Sequence, residues 1–318
     1  MAFTIAVSNQ KGGVGKTTTS IHLAAAFALA GHRTLLIDLD SQANATVGLG
    51  VAEATGDRFG SYRAIAGDDI VTPDWCTETG FAGLSVLPAS LQLAGVDMEL
   101  GDMAGATGRL ASAIEGLTAD FDRIVIDCPP SLGILSVNAL AAADVVLTPL
   151  PPERFAIDGL ARLQVTMQHL RATGRIRVAD PLILINRHQP WSEAHMARVM
   201  QLRNEYRHRV LIAEAPLSPV LEAASELRRP VYVDTPESAG GDACLYAAAE
   251  LDLRLSGKAP GPETVARAVE AMKTEIARRY PHRQQTAAAR EAIEHRHGSS
   301  WFARGFEAIR NRLALPHG

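Results

Sequence analysis

NQKGGVGKTTT, residues 9–19, decides the fold. It follows a run of aliphatic and β-branched residues, FTIAVS at 3–8, and leads into an alanine-rich segment with helical spacing at 16–30. Strand, glycine loop and helix in that order let backbone N–H groups converge on an anion, with the positive end of the helix behind it. In such a loop Gly12, Gly13, Val14, Gly15 and Thr18 form the cradle, Lys16 reaches the terminal phosphates and the Thr17 hydroxyl ligates Mg²⁺. The spacing departs from the ordinary G-x-x-x-x-G-K-[ST] pattern. Gln10 stands where the first glycine would, and a second lysine, Lys11, opens the loop.

Outward from this loop, short apolar runs alternate with helical stretches, the pattern of βαβ units around a buried, mostly parallel sheet. The spacing predicts strands at 3–8, 34–38, 84–88, 123–127, 145–149, 182–186 and 210–212. It predicts helices at 16–30, 91–117, 136–142, 157–172, 193–206, 219–227 and 242–255. The expected architecture is a three-layer α/β P-loop fold with helices on both faces of the sheet. A break at 256–262, SGKAPGP, sets the expected boundary between a domain at 1–256 and a basic helical extension at 257–318. From residue 271 onward nine Lys or Arg face four Glu, an excess of five positive charges on an otherwise acidic chain.

Composition narrows the class further. At 318 residues, 47% hydrophobic and 21% charged, the chain is neither disordered, collagenous nor coiled coil. No apolar run approaches the roughly 18 residues of a membrane span, and no charged leader or cleavage site precedes the first strand. Cys76, Cys128 and Cys244 are too few and too scattered for a disulfide framework or a zinc site. A cytoplasmic protein is expected. A net charge of −4 leaves any nucleic-acid contact to a local patch.

Two further segments carry acids. LLIDLDSQANAT, 35–46, places Asp38 and Asp40 on one face at the C-terminal end of a strand, where open α/β sheets bind ligands. FDRIVIDCPPS, 121–131, ends an apolar strand in Asp127, and Pro129 and Pro130 bar a regular helix immediately afterwards.

KGGVGKTT resembles the deviant Walker A motif of the ParA/MinD group of P-loop ATPases. The resemblance extends through 131–160, SLGILSVNALAAADVVLTPLPPERFAIDGL, and covers residues 1 to about 256. It implies ATP and Mg²⁺ as cofactors, and an ATP-sandwich homodimer in which Lys11 contacts phosphate across the interface. It further implies Thr17, Asp127 and Asp38 at the metal, and Asp40 on the attacking water. Catalysis would then rest on Lys11, Lys16 and Asp40. Asn186 of LILINR would read adenine, with Pro216 packed on the base. Ser41 and Ala43 replace the group's usual Pro and Gly, and Pro151 and Pro152 occupy the place of a common glutamine. No cysteine pair is spaced for the iron-sulfur cluster of metabolic relatives.

The same resemblance implies weak intrinsic turnover and a ParB-like or cargo-adaptor partner that activates it, for a plasmid, chromosome or protein cargo. With eight residues before Asn9, no operator-reading extension is expected. Non-specific DNA is the expected matrix, making the protein nucleoid-associated, through Arg198, Arg203, Arg207, Arg209, Arg228 and Arg229. The group's YDPRSRGA segment reads VDTPESAGGDA here, with Glu237 where an arginine is usual. The alternative is a MinD-like, membrane-cycling regulator. For it, Phe302, Phe306, Ile309 and Leu313 recur at helical spacing, with Arg304, Arg310 and Arg312 elsewhere on the wheel, a pattern that equally suits docking on the parent domain or the other protomer, or contact with DNA or a partner.

Overall fold

The computed structural model describes residues 2–281 except 56–58, 68, 102 and 104. In chain order the elements are β1 (Phe3–Val7), α1 (Lys16–Leu29), β2 (Thr34–Asp38), α2 (Asn44–Gly48), α3 (Ser61–Ala66), β3 (Thr77–Glu78) and β4 (Leu84–Leu87). Then come α4 (Val96–Leu100), α5 (Arg109–Ala113), β5 (Arg123–Asp127), α6 (Ile134–Ala142), β6 (Val145–Leu150) and α7 (Arg154–Ala172). The rest are β7 (Leu182–His188), α8 (Glu193–Tyr206), β8 (Val210–Pro216), α9 (Pro219–Glu226), α10 (Ala239–Leu255) and α11 (Pro262–Arg279).

Eight strands form one sheet in the order β3-β4-β2-β5-β1-β6-β7-β8. All pairs are parallel except the short β3, which runs antiparallel to β4. β2 and β5 are buried along their whole length, because helices cover both faces of the sheet. One core joins Ile5, Val125 and Leu147 to Leu23 and Phe27 of α1 and Leu245 of α10. The other joins Leu35, Ile37 and Ile126 to Leu140 of α6 and Met167 of α7. Each fully buried Leu or Phe contributes about 1.5–3 kcal/mol. Arg123 opens β5 inside this apolar setting because Asp252 pairs with it at 2.8 Å and the Phe3 ring lies 5.3 Å from its guanidinium.

The single helix expected at 91–117 is corrected. The chain there makes 3₁₀ turns at Leu91–Gly95, Ala106–Gly108 and Glu115–Ala119, separated by the five-residue helices α4 and α5. Five glycines, at 95, 101, 105, 108 and 116, each cost about 1 kcal/mol in a helix. Gly105 also adopts φ +79°, outside the right-handed helical region. Asn138 of α6 then claims the freed backbone, accepting from Leu110 N at 3.0 Å and donating to Ala106 O at 2.7 Å.

The stretch at 256–262 is a helix-to-helix connection. Gly257, at φ +70°, ends α10 by donating to Arg254 O, and Lys258 N donates to Leu253 O at 2.8 Å. Beyond it, Val265, Val269, Met272 and Ile276 of α11 enter the same core as α1 and α10, and Lys273 pairs with Asp242 at 2.8 Å. This helix is packed into the body. The basic amphipathic spacing at 302–313 lies outside the described residues. Among those described, no helix is long and apolar enough to cross a membrane.

Candidate functional site

Parallel register sets the ends of three neighbouring strands level. Val7 of β1 lies opposite Asp127 of β5, and Asp127 lies opposite Asp38 of β2. The glycine loop leaves β1 at this edge and turns into α1. Gly13 and Gly15 adopt φ +72° and +86°, conformations that a side chain would strain. Gly12 has no such need, and a Cβ there would meet nothing within 4 Å. Its missing side chain leaves backbone N–H groups bare toward an anion, which fits a phosphate cradle.

The two lysines are held differently. Lys16 is buried, and its Nζ donates to Lys11 O at 3.3 Å. Burial pushes its pKa down, against Asp127, Cys128 and Asp40, which favour the charge. Lys11 sits at the rim, its side chain 39% exposed, and pairs with Glu153 Oε2 at 2.7 Å. That ion pair holds the Glu153 carboxyl below its usual range. Asn9 braces the loop by donating to Pro149 O at 2.9 Å and accepting from Lys11 N at 3.0 Å.

Asp127 is fully buried. Its Oδ1 accepts from Ser20 Oγ at 2.8 Å, and the Thr17 hydroxyl adds a weaker polar contact. Oδ2 has no hydrogen bond of good geometry. A bare carboxylate oxygen beside a threonine hydroxyl is a donor set suited to a hard divalent cation that keeps its remaining sites for water and phosphate. Asp38 is equally buried, yet both its oxygens are taken: Oδ1 by Asp40 N at 3.1 Å, and Oδ2 by Thr46 N and Thr46 Oγ1, each at 2.8 Å. Burial pushes both carboxyls toward the protonated form, with Asp40 adding repulsion at Asp38 and Asp38 adding it at Asp127. Asp40 is partly exposed beyond the strand end, where Oδ1 accepts from Gln42 N at 3.0 Å.

Across the loop, Asn186 of β7 donates from Nδ2 to Val14 O at 2.7 Å. A Cβ on residue 15 would come within 2.6 Å of that nitrogen, so Gly15 is required twice, by its φ and by this approach. Asn186 and Pro216 line one cleft with Gly15, Thr18 and Thr19. The residues read from the sequence thus meet at one end of the sheet, on four strands, one helix and the loops that follow β1 and β2. Thr46 and Glu153 were not foreseen, because neither carries a spacing signal. What marks them is tertiary: Thr46 holds Asp38, and Glu153 holds Lys11.

Residues 2–179 match a family described as AAA domain. The chain is 36% identical over 249 residues to the chromosome partitioning protein ParA of Caulobacter vibrioides, covering 78% of this chain and 92% of that protein. A solved structure of cobyrinic acid a,c-diamide synthase from Mycobacterium smegmatis, with bound ATP analog and magnesium, is 31% identical with TM-score 0.67, covering 81% of this chain and 98% of that one. The septum site-determining protein MinD of Pyrococcus horikoshii, complexed with Mg-ADP, is 26% identical with TM-score 0.63, covering 81% and 98%.

Proposed function

Since the chain belongs to the ParA family of AAA-domain P-loop ATPases, we propose that it is an ATP-operated positioning switch. Two copies close on ATP, the dimer holds DNA without reading sequence, and a ParB-like or cargo-bound adaptor stimulates hydrolysis to release it. The protein works in the cytoplasm, on the nucleoid. The observation that carries this reading is the division of labour between the lysines. Lys16 is sealed in beside its own loop, whereas Lys11 stands half-exposed at the rim, where a second subunit's phosphates can approach.

Each residue has a task in this reading. Backbone N–H groups of the glycine loop and the Lys16 ammonium bind and orient the phosphates. Thr17 and Asp127 would hold Mg²⁺, whose chemistry when bound is to neutralise phosphate oxygens. Asp40 orients the attacking water, and Asp38 ties the Asp40 segment to the strand through Thr46. Asn186 and Pro216 receive the base. Lys11 exchanges Glu153 for the partner's nucleotide, as a cation supplied in trans to developing negative charge.

The arginines expected on DNA separate by partner. Arg203 pairs with Glu214 at 2.8 Å, Arg209 with Asp180 at 3.0 Å and Arg229 with Asp234 at 2.5 Å. Arg198 and Arg207, on and just after α8, and Arg228, after α9, have no ion-pair partner among the described residues; Arg198 and Arg207 supply the DNA contact in this reading.

Light scattering with Mg-ATP tests the switch. The parent should pair and Lys11→Ala should stay monomeric; equal pairing of both removes the trans cation. Retention on non-specific duplex should require ATP and fall steeply with salt. Retention indifferent to nucleotide would refute coupling to DNA.

A further inference from the structure

A second concavity, of about 660 Å³, lies between segments the reaction does not use: Leu49 and Gly50 after α2, 79–81 in the β3 to β4 turn, 227–230 after α9, and 279–281 at the end of α11. Its volume is that of a small-molecule site, for which roughly 300–1,000 Å³ is usual. Three arginines, Arg228, Arg229 and Arg279, line it together with Phe81 and Tyr280, and no carboxylate is among the lining residues. Asp234 and Glu275, behind the wall, pair with Arg229 and Arg279, so the uncompensated charge facing the cavity is that of Arg228.

The three guanidiniums differ in what they have left to give. Arg279 is committed, donating to Glu275 at 2.6 Å and to the Ala82 and Ala28 carbonyls at 2.8 and 3.3 Å. Arg229 engages Asp234 through Nε and Nη2 at 2.5 and 2.7 Å, which leaves Nη1 over. Arg228 is exposed and has no ion-pair partner among the described residues. Its backbone is nonetheless fixed: φ is +54°, and its carbonyl sits 3.3 Å from where a Cβ on Gly50 would be. A non-glycine residue in that region is uncommon and persists only where the surroundings enforce it.

The wall behind these arginines is rigid. Val231 N donates to His22 Nε2 at 3.1 Å, and the Tyr232 hydroxyl donates to His22 O at 3.2 Å. His22 is fully buried, and burial pushes its pKa down to about 4. It is therefore neutral, with Nδ1–H donating to Thr18 O at 2.7 Å. Phe81 and Tyr280 stack with ring centroids 6.0 Å apart, giving the cavity an aromatic side. Unspent guanidinium donors on a fixed backbone, beside stacked rings and with no carboxylate among the lining residues, suit a phosphate ester that carries a planar ring.

We infer that this cavity binds a phosphate ester joined through a sugar to a planar ring, the chemistry of a nucleotide, with Arg228 and Nη1 of Arg229 on the phosphate and Tyr280 against the ring. The phosphate can come from a free small molecule or from a nucleic-acid strand. The inference does not depend on dimerisation or on DNA positioning.

Calorimetry on the full chain, with the nucleotide site saturated by Mg-ADP, uses GMP as the probe. The expected result is saturable binding of one GMP per chain, weakened about tenfold or more by Arg228→Glu, as loss of a charge-assisted phosphate contact implies. Arg228→Gly, which relieves the positive φ and removes the cation, should weaken it similarly, and both variants should keep the parent affinity for Mg-ADP. No saturable GMP binding, or binding equally tight in both variants, overturns the inference. A short DNA duplex then separates the sources. Displacement of GMP by duplex assigns a strand, and GMP binding indifferent to duplex assigns a free ligand. Duplex retention that depends on Arg228 in a protein that ignores GMP overturns the cavity site and leaves Arg228 as a surface phosphate contact.

Discussion

Asp38 and Asp127 end neighbouring strands in matched register, are equally buried, and carry the same functional group. Their surroundings divide them. Three donors close on Asp38, from Asp40 N, Thr46 N and Thr46 Oγ1. Asp127 receives Ser20 and keeps one oxygen bare. Burial is expensive for both charges, but at Asp38 three hydrogen bonds from the chain offset part of the cost, whereas Asp127 stays open to compensation from outside. The contrast separates a carboxylate that fastens a loop from one that is ready for a ligand.

The most severe way to break this contrast is Asp127→Asn. ATP turnover should fall by about 10²–10³, the usual scale for removing one preorganised charge contact. Stability should move the other way. Burial and Asp38 raise the Asp127 pKa, so the ionised form is disfavoured in the folded protein at neutral pH, and stability linked to this group is lost as pH rises. The amide removes that penalty. Thermal unfolding at neutral pH without Mg²⁺ should therefore occur a few degrees higher, on the order of 1 kcal/mol or more. A lower melting temperature would place Asp127 with Asp38 as a structural anchor.

Asp38→Asn should be the mirror image in stability. The amide oxygen would keep the two Thr46 donors and the NH₂ would face Asp40 N–H, stranding a donor that the carboxylate satisfied, at a cost of about 1–3 kcal/mol by denaturant titration. A neutral result would mean that the Asp40 N–H does not depend on this carboxylate. Thr46→Val sharpens the point at smaller scale, since Thr46 Oγ1 both donates to Asp38 and accepts from Ala89 N at 3.0 Å. About 1–2 kcal/mol should be lost, with a smaller fall in turnover than Asp127→Asn produces. Equal losses of turnover would show that the loop, and not the metal side, limits the reaction.

A third carboxylate supplies the gentlest test. Burial alone would raise the Glu214 pKa, but His188 and Arg203 override it and hold the group down at about 2. Its contribution is thus present above the ordinary value of 4.5 and lost as pH falls from there toward 2. Glu214→Gln should flatten acid unfolding in that window by roughly 1 kcal/mol and leave turnover near neutral pH unchanged. An unaltered acid limb would show that the His188 and Arg203 contacts do not stabilise the fold.

Much of the site was legible in the chain. Glycines at 12, 13 and 15 before Lys16 read as a phosphate loop because few other tasks need that spacing between a strand and a helix. Asp38, Asp127 and Asn186 were legible as strand-end residues. The helix expected at 91–117 was misread because apolar spacing continued while five glycines lowered its helical preference, and Asn138 from α6 took the backbone polar groups instead. Periodicity measures which side chains want burial. It does not measure which distant residue competes for a backbone hydrogen bond.

The amino-acid sequence by itself determined the parallel α/β sheet, the phosphate loop and the residue types around it, since these rest on local backbone preference and on side-chain spacing along one strand or helix. Only the tertiary structure decided that Asp38 is satisfied while Asp127 is not, that Lys11 leans on Glu153, that α11 joins the core, and that Arg228 keeps its charge unpaired beside a cavity. These outcomes depend on partners 8 to 142 positions away or more, and whether a buried or half-buried charge is compensated is settled by which groups the fold brings within about 3 Å of it.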